Sequence, residues 1–266
     1  MELKKYFVIG NPISHSLSPK LQNYWLKENN IKAIYGKIEL KDNDIKNFIQ
    51  KIKEQKIAGC NVTVPFKKTV IPYLDKLSPE AEQTQSVNTI IFENGNLVGH
   101  NTDITGFVKS IESLNFKMKG KKIFILGAGG VVPSIVFALQ KMNVLEITIS
   151  NRTKQKAENL KKLFSNIDVV EWGLIPETDV VINATSLGLK NEIINLDFSS
   201  IGKNKLFYDV IYNPAETNFL KKGKELGNKS ENGKLMFIYQ SVEAFKLWHK
   251  IEPKVNLKTI EILKND

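Results

Sequence analysis

Three groups of residues in this chain have types and spacings that could do chemistry. The first is Gly127-Ala128-Gly129-Gly130, which follows an apolar run (Ile123, Phe124, Ile125, Leu126) and precedes an apolar segment long enough to be a helix. A strand, a tight glycine turn and a helix form the crossover that holds a dinucleotide pyrophosphate. The glycines let the backbone approach, and the helix start offers unpaired N–H groups and a partial positive charge. The third position of that fingerprint is Val132 here, and Pro133 falls in the first helical turn, where it is tolerated. A second strand is expected over Leu145–Ser150, ending at Asn151-Arg152-Thr153, 24 residues after Gly127. A site for NAD usually has a carboxylate there to hold the ribose 2′-hydroxyl. This chain has Asn151 instead, and Arg152 is the only arginine among 38 basic residues. A guanidinium can grip a phosphate through two donors and stack on an adenine, which lysine cannot do. The expected cofactor is therefore NADP, the plainer alternative being a surface arginine at a strand end.

The second group is the loop Gly10-Asn11-Pro12-Ile13-Ser14-His15-Ser16-Leu17-Ser18-Pro19, which follows a short apolar strand and precedes a helix read over 20–29. Two serines two residues apart, with helix-start amides beside them, suit a carboxylate. Ser18 is also placed to cap that helix, with Pro19 at its first position. The third group is Asn61-Val62-Thr63-Val64-Pro65-Phe66-Lys67 with Asn101-Thr102-Asp103. The β-branched run is read as a strand to Pro65, with Lys67 just beyond its end, where open α/β sheets bind ligands. Asp103 stands where a helix running to about Leu114 would have its N-cap, and it can serve a site as well.

The elements that carry these groups alternate. Strands are expected over 34–40, 86–92 and 96–100, the last two as a hairpin around Glu93-Asn94-Gly95, and an amphipathic helix over 44–54. Apolar residues at helical spacing from Phe237 to Trp248 give a closing helix. Composition bounds the function. An apolar content of 42% is ordinary for a soluble protein, no run of about 18 apolar residues exists, and the N-terminus passes into a strand without signal-peptide anatomy. A cytoplasmic protein without a membrane partner is expected. One cysteine, Cys60, rules out an internal disulfide and a thiolate cluster, and the three histidines show no ligand spacing, so no metal is expected. The net charge of +10 is spread over helix faces without an aromatic platform, so no nucleic-acid partner is expected.

The serine loop, Asn61 to Lys67, Val87-Asn88-Thr89, Gly99 to Asp103, Gly127 to Gly130, Asn151 to Thr153, Asn183-Ala184-Thr185-Ser186-Leu187-Gly188, Tyr208 to Pro214, and Asn232-Gly233 through Met236 to Gln240 together resemble the shikimate dehydrogenase family in order and spacing. The resemblance covers nearly the whole chain. It implies reversible reduction of 3-dehydroshikimate to shikimate with NADPH. Ser14, Ser16 and Thr63 would hold the carboxylate; Asn88, Asp103 and Gln240 would hold ring hydroxyls, and Tyr212 would lie near the substrate. Lys67 would be the general acid/base, paired with Asp103. Gly127, Ala128, Gly129 and Gly130 would hold the pyrophosphate and Asn151, Arg152 and Thr153 the adenosine phosphate. Thr185, Ile211 and Gly233 would line the nicotinamide half, with Met236 near the ring.

The chain departs from the pattern at Val131-Val132-Pro133-Ser134, where Ala-Ala-Arg-Ala is usual, and at Ser241, where alanine is common. A basic residue near the pyrophosphate is thereby missing. The implied architecture is two α/β domains across a cleft: 1–102 plus 237–266 with a mixed sheet for substrate, and a Rossmann-like NADP-binding domain over 103–236. The expected partner is a small-molecule substrate, the chain being a monomer or homodimer. Two alternatives differ in what they require. A quinate-oxidising enzyme would act on a substrate changed at the carboxylate-bearing carbon, which Ser14 and Ser16 fit less well. A non-catalytic NADPH sensor would have no need of Lys67 with Asp103.

Overall fold

The computed structural model describes residues 3–263. They form two compact units, one from residues up to Gly106 together with those from Ile238 onward, the other Phe107–Phe237. The first unit holds strands β1 (Lys4–Gly10), β2 (Ala33–Glu39), β3 (Gly59–Val62), β4 (Lys76–Leu77), β5 (Thr89–Glu93) and β6 (Asn96–His100) in the order β2-β1-β3-β5-β6-β4. β5 runs antiparallel to both β3 and β6, and the other pairs are parallel, so the sheet is mixed. Helices α1 (Ser18–Glu28), α2 (Ile45–Lys53) and α3 (Pro79–Thr84) lie between the strands, and α4 (Asp103–Ser113) follows them. α2 shows why: Ile45, Phe48, Ile49 and Ile52 recur at helical spacing, and all are buried.

The second unit is a wholly parallel sheet of β7 (Lys122–Leu126), β8 (Glu146–Ser150), β9 (Asp168–Val170), β10 (Val180–Asn183), β11 (Leu206–Asp209) and β12 (Lys229–Glu231) in the order β12-β11-β10-β7-β8-β9. α5 (Val132–Lys141), α6 (Lys154–Leu163) and α7 (Asn218–Glu225) connect its strands. β10 and β11 are buried at every residue, as continuous apolar strands of a parallel sheet must be when both faces are covered. The strand order reverses beside β7, the topological switch point at which such sheets bind nucleotides. α8 (Lys234–His249) then leads to α9 (Leu257–Glu261). The Trp248 indole donates to the Ile90 carbonyl at 3.1 Å and Gln22 to the Ser241 carbonyl at 3.1 Å, which fixes this last stretch to the first unit.

Three local expectations are corrected. β3 ends at Val62, three residues before Pro65, because the Thr63 carbonyl turns back to accept from the Phe66 amide. Ser18 does not cap α1: it is the first helical residue, after Leu17 at the N-cap, and its own amide donates to the Ser16 hydroxyl. The hairpin's first strand begins at Thr89, since Ser86 to Asn88 run ahead of the ladder.

Candidate active site

In the first unit the expected site residues collect along one edge of the sheet. Ser14 and Ser16 follow β1, Thr63 and Lys67 follow β3, and Asp103 follows β6; Asn88 precedes β5, which starts at that edge because it runs the opposite way. The two loops after β1 and β3 are tied by the Asn11 amide donating to the Val64 carbonyl at 3.0 Å. Gly10 permits this approach, since a Cβ there would meet the Thr63 methyl at 2.6 Å and the Val64 carbonyl at 3.0 Å. The Ser14 and Thr63 hydroxyls have no partner among the described residues, and the Ser16 hydroxyl donates to Ser18 Oγ at 3.2 Å.

Lys67 is 8% exposed and Asp103 6%. Lys67 Nζ donates to Asp103 Oδ2 at 2.5 Å, and Asn88 Nδ2 donates to Asp103 Oδ1 at 2.9 Å. The carboxylate is thus used on Lys67 and Asn88 rather than as the cap of α4; Thr102, whose carbonyl accepts the Gly106 amide, occupies the N-cap. An ammonium has three donors, and Asp103 takes only one of those on Lys67. Gln240 lies on α8, and its side chain donates to Ser241 Oγ at 2.7 Å.

The second unit gathers its expected residues in the same manner. The glycine loop follows β7, Asn151 to Thr153 follow β8, Thr185 follows β10, Ile211 follows β11 and Gly233 follows β12, so five neighbouring parallel strands present them at their C-terminal ends. Met236 is buried in the first turn of α8, and Tyr212 stacks on Phe237 with ring centroids 4.6 Å apart.

These residues fit a dinucleotide. Gly127 has φ +109°, and a Cβ on it would sit 2.8 Å from the Ala184 carbonyl, so it is required by the fold. Gly129 is different: a Cβ there would meet nothing nearer than that carbonyl at 3.9 Å, so the space over it is left by the protein itself. No side chain caps α5 or α6. At α5 the Val132 and Ser134 amides donate to the Gly129 and Val131 carbonyls at 3.0 and 3.1 Å and Pro133 has no N–H, so an anion there would meet the glycine loop and the positive end of the helix. The Arg152 guanidinium is exposed and has no partner among the described residues, and the same holds for the Thr153 hydroxyl, while the Asn151 amide closes the turn onto the Thr153 carbonyl at 2.8 Å.

Asp209 was not foreseen, although an acid ending the apolar strand Leu206 to Tyr208 was a signal. It is fully buried, accepting from the Thr217 hydroxyl at 2.6 Å, the Ile211 amide at 3.0 Å and Asn183 Nδ2 at 3.1 Å. Asn183 Oδ1 in turn accepts from the Thr185 amide at 3.1 Å and hydroxyl at 2.7 Å. The pair therefore holds the loops that carry Thr185 and Ile211. Burial pushes the Asp209 carboxyl up from 3.8 to about 6. Between those values the folded state keeps a proton that the unfolded chain has lost, so stability falls as pH rises through the window and is level above it. The full drop is at most about 3 kcal/mol. Asp209→Asn should abolish it, measured as the wild-type minus variant difference in urea unfolding from about pH 4 to 7. A difference that grew in the opposite direction would mean that the hydrogen bonds outweigh desolvation.

Comparison with known proteins agrees with this geometry. The family model for the shikimate dehydrogenase substrate binding domain matches residues 8–90, and that for shikimate / quinate 5-dehydrogenase matches residues 109–208. The shikimate dehydrogenase (NADP(+)) of Pelagibacter ubique (strain HTCC1062) is 54% identical over 261 residues, covering 98% of each chain. The crystal structure of shikimate dehydrogenase from Aquifex aeolicus has a TM-score of 0.88 at 38% identity, covering 99% of this chain and 98% of that one. That of the Thermus thermophilus shikimate 5-dehydrogenase, in complex with NADP(H) and shikimate, has a TM-score of 0.87 at 29% identity, covering 95% of each. With its residues arranged in this way and its whole length so matched, the chain belongs to the shikimate dehydrogenase family.

Proposed function

We propose that the protein catalyses the NADP-dependent interconversion of 3-dehydroshikimate and shikimate. The observation that carries this reading is the Lys67–Asp103 pair, a nearly buried ammonium held at 2.5 Å by a carboxylate, with two donors left for a substrate oxygen. NADPH, when bound, supplies the hydride to the carbonyl carbon. Lys67 then stabilises the negative charge that gathers on the carbonyl oxygen and gives it a proton, and in the reverse direction it takes the hydroxyl proton. Asp103 orients Lys67 and offers an oxygen to a ring hydroxyl, and Asn88 holds Asp103. The free hydroxyls of Ser14 and Thr63, with Ser16 between them in sequence, bind the carboxylate; Gln240 and Tyr212 complete the substrate contacts.

Gly127 to Gly130 and the positive end of α5 hold the pyrophosphate, without a basic side chain over Val131 to Ser134. Asn151, Arg152 and Thr153 hold the adenosine phosphate, and Thr185, Ile211, Gly233 and Met236 line the nicotinamide half. The reading includes a cytoplasmic setting and a monomer or homodimer. No helix among the described residues is long and apolar enough to cross a membrane, and burial pushes the thiol of Cys60, the only cysteine, up. The test is NADPH formation with shikimate against quinate: a clear preference for shikimate is expected, and equal rates would favour a shikimate/quinate enzyme.

Gly129 allows a separate check of the cofactor loop. Because the protein leaves room for a methyl there, Gly129→Ala should fold with an unchanged melting temperature. The methyl would keep the pyrophosphate off the backbone, raising KM for NADPH on the order of tenfold, about 1.4 kcal/mol. Gly127→Ala, against the Ala184 carbonyl, should instead lower the melting temperature. A Gly129→Ala enzyme with wild-type KM would remove the loop from the phosphate site.

A further inference from the structure

The serine loop and the Lys67–Asp103 pair are joined by side chains to which no role has been given above. Ser16 donates to Ser18 at 3.2 Å, and Ser18 donates to the Tyr35 hydroxyl. Tyr35 donates to Asn61 Oδ1 at 2.6 Å, and Asn61 Nδ2 donates to Thr89 Oγ1 at 3.0 Å and to the Asn88 carbonyl at 3.1 Å. Thr89 donates to Asn88 Oδ1 at 3.1 Å, and Asn88 Nδ2 donates to Asp103 at 2.9 Å. Every link donates in the same direction, from Ser16 toward the one anion at the far end. Bonds aligned head to tail polarise one another, and Tyr35, Asn61 and Thr89 are all buried, so water does not compete for them.

We infer that Tyr35 is a positioning residue, whose hydroxyl, acting through Asn61 and Thr89, ties the loop proposed to hold the substrate carboxylate to the Asn88–Asp103–Lys67 group and so holds that group in its working geometry. This rests on the proposed shikimate dehydrogenase reading for its substrate and its reaction. Tyr35 holds the Asn61 amide from its oxygen side: its O–H donates to Asn61 Oδ1 while Nδ2 donates to Thr89 and the Asn88 carbonyl, so without it Asn61 is held from one side only. Asn88 keeps the Thr102 amide, which donates to its Oδ1 at 2.7 Å, but its contacts with Asn61 and Thr89 loosen, and with them part of the support for Asp103. Burial pushes the Tyr35 phenol well above its ordinary value, so it remains a donor at any working pH.

Tyr35→Phe keeps the ring and removes only the link. In this variant we expect kcat with shikimate to fall about tenfold, KM for NADPH to stay at the wild-type value, and the pH profile of kcat to shift. Paired with Ser16→Ala, the loss in kcat/KM should be clearly smaller than the product of the two single losses, because both changes cut one chain. Hydrogen exchange of the Asn88 side-chain amide, read by NMR, needs no substrate and should quicken about tenfold in Tyr35→Phe, although Asn88 does not touch Tyr35. Thr89→Val breaks the chain at another link and should reproduce the Asn88 exchange and the pH shift even if Tyr35→Phe folds poorly. Folded variants with wild-type exchange at Asn88 and a wild-type pH profile, or losses with Ser16→Ala that simply multiply, would overturn the inference. A wild type inactive toward shikimate, with the exchange effect intact, would strike the functional reading and leave the chain of bonds standing.

Discussion

Lys67→Ala lowers turnover by ~10²–10⁴, the usual worth of a positioned acid or base, while KM for shikimate and NADPH stays within a few-fold. Lys67 acts on charge and on a proton that appear during the reaction, so its loss falls on kcat rather than on binding of the ground state. The substitution also leaves the Asp103 carboxylate buried with Asn88 as its remaining partner, so the melting temperature should drop as well. The kinetics therefore need to be read well below that temperature. Asp103→Asn behaves differently: it lowers turnover by loosening Lys67 and raises KM for shikimate, because the carboxylate also serves a ring hydroxyl. Steady-state rates in both directions separate the two cases. A Lys67→Ala enzyme that kept most of its turnover would leave Lys67 as a binding residue only.

Arg152→Ala weakens NADPH on the order of ten- to a hundredfold, as the loss of hydrogen bonds to a charged group worth roughly 1.5–3 kcal/mol requires. The guanidinium is exposed and has no ion pair among the described residues to give up. Removing it therefore costs the fold little, and the effect belongs to the ligand. NADH lacks the 2′-phosphate, so its binding should be nearly unchanged. Titration of both nucleotides into wild type and variant decides the matter, and a wild type that took NADH as well as NADPH would undo the argument from the lone arginine.

Much of this was legible in the sequence, for physical reasons. The strand over Ile123 to Leu126 could be read because a parallel strand buried on both faces is continuously apolar, and α2 because its buried residues recur at helical spacing. Arg152 stood out through composition alone. Lys67 with Asp103 was within reach because each follows a strand, where such sheets collect their ligand residues. What periodicity does not carry is the identity of a hydrogen-bond partner. Ser18 has the composition of a cap, yet its amide goes to Ser16 and its hydroxyl to Tyr35. Tyr35 reads as one more aromatic on a strand, and its link to Asn61 joins residues 26 apart in the chain. Thr89 is an ordinary β-former beside Asn88. Asp209 would be placed at a strand end by any reading, but that it grips Thr217, Ile211 and Asn183 together follows only from the packing of three loops.

The most direct test of the central claim is the absorbance of reduced nicotinamide when purified wild-type protein is mixed with shikimate and NADP, and with NADP alone. NADPH should form only with shikimate present, in proportion to the shikimate oxidised, and should be consumed when 3-dehydroshikimate is added. No NADPH with shikimate, from protein that binds NADPH tightly, would contradict the account and leave a nucleotide-binding protein without this reaction.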